Sequence, residues 1–409
     1  MSERRYYGLD ALRGGMMMLG IVLHGAELYL AAPPPQFPFP ADRNNSLLFD
    51  LLFHFIHSFR MPAFFLLSGF FTALLVEKRG LAGACRNRAA RVLAPLAAAA
   101  LTILPLTMWF AISFALAARY GAQGFVPDLA LLEQFGRELA AAGHPTGEPV
   151  LAHLWFLYYL LWFYLLIPLC RLLARAGEPG GAIDRLLAAP ATLVALGLYA
   201  AATLWPYRGG QVLEGFVFLR PHLPSLVYYG SFFVFGYLLH RYPALLGALA
   251  RRAWWHGALA LLLVPLALYA SHLEYASAKG AFGPHLAAVV ANGLCTWALV
   301  YFFVGCALRW FDRASPWALY ASQSSYWVFL VHMPVVAAAG WWLVRYDLPA
   351  PVKFLLAAGF TAVVCFATYH YWVQRTWVSV FLNGRRFDLD WPWRTRTDSG
   401  PGDPNRTPA

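Results

Sequence analysis

Ten stretches of this sequence stay apolar long enough to cross a lipid bilayer, and that repetition constrains the fold more than any single motif. A helix needs about 20 apolar residues to span the hydrocarbon core. The stretches run at about 9 to 31, 47 to 76, 92 to 118, 150 to 173, 187 to 206, 223 to 240, 254 to 272, 285 to 308, 318 to 343 and 351 to 374. Each is bounded by charge, proline or glycine clusters. The second and ninth exceed what a span requires, so tilt, a kink or an unwound section is expected there. The chain reads as an all-α polytopic membrane protein of about ten transmembrane helices.

Composition agrees. Charged residues make up 12% of the 409 and hydrophobic ones 60%, against about 25% charged in an ordinary soluble domain. That excludes a soluble enzyme and a disordered chain, and no fixed period recurs that would indicate a repeat fold. The net charge of +11 would suggest nucleic-acid binding in a soluble protein. Its distribution argues otherwise. With the N-terminus inside, all but nine of the 31 lysines and arginines fall in the even-numbered loops and the two tails. The exceptions are Arg43, Arg60, Arg119, Arg137, Arg208, Arg220, Lys279, Arg345 and Lys353. The positive-inside rule then puts both termini in the cytoplasm, and no nucleic-acid partner is implied.

Arg4 and Arg5 precede an apolar run, yet Asp10 and Arg13 interrupt it and no small-residue cleavage site follows, so a secretory or twin-arginine signal is not expected. Cys85, Cys170, Cys295, Cys306 and Cys365 are odd in number and never spaced as CxxC, which indicates packing residues rather than disulfides or zinc ligands. Residues 1–383 read as one transmembrane domain. Residues 384–409 read as a polar cytoplasmic tail, expected to be mobile from about Ser399. Outer stretches at about 119 to 149 and 207 to 222 are candidates for acceptor contacts.

Ionisable groups at membrane depth are expensive and mark candidate sites. They are Asp10, Arg13, His24 and Glu27 in the first stretch, Asp50, His54, His57 and Arg60 in the second, then His153, His332 and His370. Glu27 lies three residues after His24, on the same helical face. A carboxylate there can orient the imidazole and stabilise its protonated form for general acid–base chemistry. The alternative is a histidine satisfied by a neighbouring helix, with Glu27 reaching the outer interface.

His54, His57 and Arg60 form a slanting row. A deeply buried arginine requires an anion: Glu27, a substrate carboxylate or a transition-state oxyanion. A fixed ion pair joining two helices explains it equally well. Too few carboxylates accompany the two histidines for a metal site, so none is expected. Ser68 and Gly69 permit close helix approach. Arg86, Arg88 and Arg91 match a multiply charged phosphate ligand, and are also what topology places in such a loop. His153 and Trp155 open the fourth stretch at the outer interface, where a tryptophan is an expected anchor and a histidine is not. Ser322, Ser325, Tyr326 and His332 share the ninth stretch with Pro334, which frees a carbonyl beside His332.

The opening Tyr7-Gly-Leu-Asp-Ala-Leu-Arg-Gly, followed by His24, resembles the start of the membrane acyltransferase type 3 superfamily, whose members have a ten-helix core. FIHSFRMPAFFLLSGFF (55–71), HLWFL (153–157) and SYWVFLVHMP (325–334) resemble motifs of the branch that succinylates osmoregulated periplasmic glucans. The resemblance spans nearly the whole chain. It implies an O-acyltransferase of the bacterial inner membrane, moving an acyl group, succinyl foremost, from cytoplasmic acyl-coenzyme A to hydroxyls of a periplasmic glucan. No tightly bound cofactor is implied.

By motif match His24 takes the catalytic position, with Glu27 beside it. Arg13, Arg86, Arg88 and Arg91 take positions associated with the donor's phosphates. Arg60, helped by His57, would stabilise the oxyanion or a succinyl carboxylate, and His57, Ser68, His153, Trp155, Tyr326 and His332 are expected to contact substrate. Direct transfer and an acyl-His24 intermediate both remain open. The alternatives from other classes are a proton-coupled secondary transporter or glycolipid flippase, and a haem protein with axial histidines, which visible absorption would reveal.

Overall fold

Each of the ten apolar stretches is built on helix in the computed structural model, which describes residues 6–34, 39–122, 124–144, 150–213, 220–389 and 391–392. No strand occurs among the described residues. The helices are α1 (Tyr7–Glu27), α2 (Leu47–Arg88), α3 (Ala94–Tyr120), α4 (Leu129–Ala141), α5 (Trp155–Tyr164), α6 (Ile167–Arg175), α7 (Ala182–Leu187) and α8 (Pro190–Leu204). They continue as α9 (Leu223–Arg241), α10 (Pro243–Arg251), α11 (Ala253–Ala276), α12 (Phe282–Trp310), α13 (Pro316–Leu343), α14 (Ala350–Thr368) and α15 (Trp377–Asn383). Among the described residues five helical segments are long and apolar enough to cross a membrane, or seven if each of two bent pairs is one span. The bent pairs are the α5 segment with α6, at 54°, and α9 with α10, at 103°.

Two expected loops are helical instead. The stretch after residue 76 continues as α2, broken only at Gly80 (φ 67°, ψ 176°), and a π-helical turn, Ala89–Leu93, joins it to α3. Residues there are mostly good helix formers, so the single glycine with positive φ is what breaks the rod. In the stretch after Tyr120, Asp128 accepts from the amides of Ala130 and Leu131 and starts α4. Phe135 buries the inner face of that helix against α3.

α2 and α9 meet through small residues. A Cβ on Gly69 would sit 1.9 Å from the Phe233 carbonyl oxygen, and one on Gly236 would sit 1.9 Å from that of Leu66. Backbones this close give dispersion contact that no larger residue permits. Gly236→Ala is expected to destabilise the protein by about 1–3 kcal/mol through overpacking, read as a lowered unfolding midpoint in detergent. Gly359→Ala, where nothing lies within 4 Å of the new methyl, is the control expected to be neutral or stabilising.

The connection between α1 and α2 is tied down from both sides. Asp50 accepts from the amides of Ala31 and Ala32, each at 2.9 Å. Asp42 pairs with Lys353 of α14, Nζ reaching the two carboxylate oxygens at 2.9 and 2.8 Å and Asn44 Oδ1 at 3.0 Å. Both side chains of that pair are fully buried. At the other terminus, Trp391 stacks on His370 with ring centroids 4.0 Å apart, so the start of the polar tail packs on the bundle. The expected mobility from Ser399 lies outside the described residues.

Candidate active site

α1 packs between α2 and α13, and α13 in turn packs on α3 and α14. This arrangement leaves a cavity walled by α1, α2, α3, α13 and the turn entering α5. It holds about 130 Å³. One water needs about 10–15 Å³ on the same measure, so there is room for a short acyl group and an attacking hydroxyl. His24, Glu27, His57, Arg60, His153, Trp155 and His332 all line it. The structure thus gathers seven of the sequence-derived candidates from four separate segments.

His24 Nδ1 lies 2.8 Å from Glu27 Oε2, the contact expected of residues one turn apart. With Nδ1–H donated to the carboxylate, Nε2 carries the lone pair of a neutral ring. The His24 and His332 ring centroids are 5.2 Å apart, and those of His332 and His153 are 5.5 Å apart. His332 Nδ1 donates to the carbonyls of Val328 and Phe329, at 3.0 and 2.8 Å. Its Nε2 is buried with no partner among the described residues.

His153 is held by a consequence of Pro334. Proline has no N–H to give the carbonyl four residues back, and that carbonyl, Leu330's, accepts from His153 Nε2 at 3.0 Å. The freed carbonyl expected from the sequence therefore fixes a histidine from another segment. His153 Nδ1 is left buried and unpartnered, as is His57 Nδ1. The preceding Ala152 has φ 43°, the one positive value outside glycine among the described residues, a conformation costing about 1–3 kcal/mol that persists only where surrounding structure enforces it.

Arg60 is 5% exposed and its Nε donates to the Met16 carbonyl at 2.9 Å. Among the described residues no carboxylate lies within ion-pair distance of it, so the fixed ion pair weighed from sequence does not form. Gly20 admits the guanidinium to α1: a Cβ there would stand 2.5 Å from Arg60 Nη2 and 3.1 Å from His332 Nε2. Gly20 was not singled out from sequence, although its place one turn before His24 on the same face was a usable signal.

The remaining candidates lie elsewhere. Ser68 and Tyr326 are not cavity walls: Ser68 Oγ donates to the Phe64 carbonyl at 2.9 Å, and Tyr326 Oη to that of Arg91 at 2.8 Å. Arg13 Nη2 donates to Ser322 Oγ at 2.8 Å and pairs with Asp10 at 3.2 Å. Arg88 donates to Thr72 Oγ1 at 3.3 Å and lies 5.5 Å over the Tyr164 ring. Arg91 donates to the carbonyls of Val380 and Phe381, closing the end of α15, while Arg86 is exposed.

His54 is drawn away from the cavity into a buried polar network that sequence reading missed. Its Nδ1 bonds Gln211 Oε1 at 2.9 Å, and Gln211 Nε2 donates to Ser58 Oγ and Asn292 Oδ1 at 2.8 and 3.1 Å. Asn292 continues to Ser271, and Glu274 accepts from the Gly209 amide and contacts His285. Part of the stretch near 207 is therefore a buried strap. Residues 214–219 of that stretch lie outside the described residues.

Residues 6–370 match the family model described as an acyltransferase domain. Glucans biosynthesis protein C of Escherichia coli (strain K12) is 29% identical over 161 residues, covering 39% of this chain and 37% of that protein. The protein of the same name from Shigella dysenteriae serotype 1 is 28% identical over 161 residues, with the same shares. The chain thus spans well under half the length of these curated relatives. No solved structure matches. The family match runs through every helix that walls the cavity, and the chain belongs to the acyltransferase type 3 family.

Proposed function

We propose that this protein transfers an acyl group, succinyl foremost, from acyl-coenzyme A at the cytoplasmic face to a hydroxyl of a periplasmic glucan, with ten spans and both termini in the cytoplasm of a bacterial inner membrane. One observation carries the reading. A His24–Glu27 pair opens on a cavity that is also lined by Arg60, a cation with no carboxylate within ion-pair distance among the described residues.

The chemistry follows from the donors and acceptors. His24 Nε2 takes the proton as the sugar oxygen attacks the thioester carbon, and Glu27 stabilises the imidazolium. Arg60 meets the oxyanion that forms on the carbonyl oxygen. As the C–S bond breaks, the proton passes from His24 to the departing thiolate. The bare nitrogens of His153 and His332 are acceptors, suited to hydroxyl donors of a sugar rather than to an anion. The donor's phosphates are assigned to Arg13, Arg86, Arg88 and Arg91. Arg13 and His24 are separated by about 16 Å of helix at 1.5 Å per residue, a span for the pantetheine arm to cover.

The direct experiment reconstitutes the purified chain in liposomes and follows label from succinyl-coenzyme A and acetyl-coenzyme A into glucan. Succinyl incorporation is expected. No transfer from either donor overturns the reading. Arg60→Gln is expected to lower kcat about 10²–10³-fold, the usual loss on removing an oxyanion donor. A rise in KM alone would mean that Arg60 serves ground-state binding.

A further inference from the structure

A second cleft lies away from the cavity, between α2, α6 and α9. It holds about 390 Å³, and its walls include Arg171 and Arg175 of α6, Tyr237, His240 and Arg241 of α9, and Glu77 of α2. Topology alone places arginines near helix ends. It does not require arginines of two helices far apart in sequence to converge on one hollow.

The charges in this hollow are only partly answered. Glu77 is taken by His240, Oε2 to Nε2 at 3.4 Å, and Arg241 is held by the Ala174 carbonyl at 3.2 Å, with Glu178 at 3.6 Å on the solvent side. Arg171 and Arg175 stand one turn apart on the same face of α6, and neither has a hydrogen-bond or ion-pair partner among the described residues. Buried Tyr237 adds a hydroxyl to the wall.

The surroundings set its depth. Away from the cleft α6 exposes Leu169, Leu172 and Leu173, an apolar outer face suited to lipid. Directly after Arg241 the chain turns by 103° into α10. The cleft therefore sits where a spanning helix ends, at headgroup level, and basic pockets between helices at that level take lipid phosphates.

We propose that this cleft is a phosphate-binding site, in which Arg171 and Arg175 grip the phosphate oxygens with Arg241 and Tyr237 beside them, and that an anionic phospholipid headgroup is its occupant. The same grip would hold a phosphate of a soluble ligand, so the test has an arm for each source. It is independent of the acyl-transfer reading, because it measures binding and not turnover.

The full-length protein is delipidated in detergent and titrated, with native mass spectrometry as readout, against phosphatidylglycerol, phosphatidylcholine and adenosine 3′,5′-bisphosphate. The comparison is with Arg171→Gln/Arg175→Gln. Phosphatidylglycerol affinity is expected to fall about tenfold or more in the variant, as loss of two charge-assisted contacts implies, with phosphatidylcholine unchanged. A tenfold loss confined to the bisphosphate keeps the phosphate site and overturns the lipid as occupant. Equal binding of both anionic probes by native protein and variant overturns the site. If the double variant does not elute as a folded species, Arg175→Gln alone, at an exposed position, serves with a severalfold loss expected.

Discussion

His24→Ala is expected to lower acyl transfer about 10²–10⁴-fold, the range that a positioned general acid–base contributes, while the protein still folds. The side chain bonds Glu27 of its own helix and faces a cavity, so its removal breaks no hydrogen bond between helices among the described residues and costs only the ring contact with His332. Label from succinyl-coenzyme A into glucan measures the activity, and elution as a single species measures the fold. Glu27→Gln keeps a hydrogen-bond acceptor and removes the charge that stabilises the imidazolium, so a smaller loss is expected there. Native turnover in His24→Ala would sink the mechanism. Equal losses in both variants would mean that the pair acts as a unit, as residues sharing one proton transfer often do.

Asp42→Ala is expected to produce the largest loss of stability, about 3–5 kcal/mol, because it leaves the ammonium of Lys353 buried and unpaired. Both side chains are 0% exposed. The pair locks the connection that supplies Leu30, Pro33, Phe39 and Pro40 to the cavity wall. The double variant Asp42→Leu/Lys353→Met removes both charges together and is expected to recover most of that loss, since a buried ion pair and a packed apolar pair differ little. Unfolding midpoints in detergent for Asp42→Leu, Lys353→Met and the double close the cycle. A double variant as unstable as Asp42→Ala would show that the site needs its charges for geometry.

His24 and Glu27 were legible from sequence because one helix relates them: a spacing of three puts both on one face. Arg60 was legible by depth, since an arginine far inside an apolar stretch is rare enough to mark a site. The apolar stretches likewise fixed an all-helical membrane protein, because length and hydropathy are local properties. The helical continuation past residue 76 and the α4 helix were missed because polar sequence outside the membrane was read as loop, although Asp128 is a recognisable cap.

What depended on tertiary structure is what joins residues remote in the chain. From sequence Lys353 was only one of the nine positive charges off the cytoplasmic side, and only packing brings it to Asp42, 311 residues away. Arg91 was read beside Arg86 and Arg88 in one loop, and only packing shows that its guanidinium also reaches the carbonyls at the end of α15. The sequence announced a free carbonyl at Leu330 through Pro334, but not that His153 takes it and so leaves a bare nitrogen. By itself the sequence determined the apolar helices and the His24–Glu27 pair, set by hydropathy and by helical spacing along one segment. The tertiary structure decided which imidazoles and which arginine share the cavity, because partners across helices are chosen by packing, which no single segment encodes.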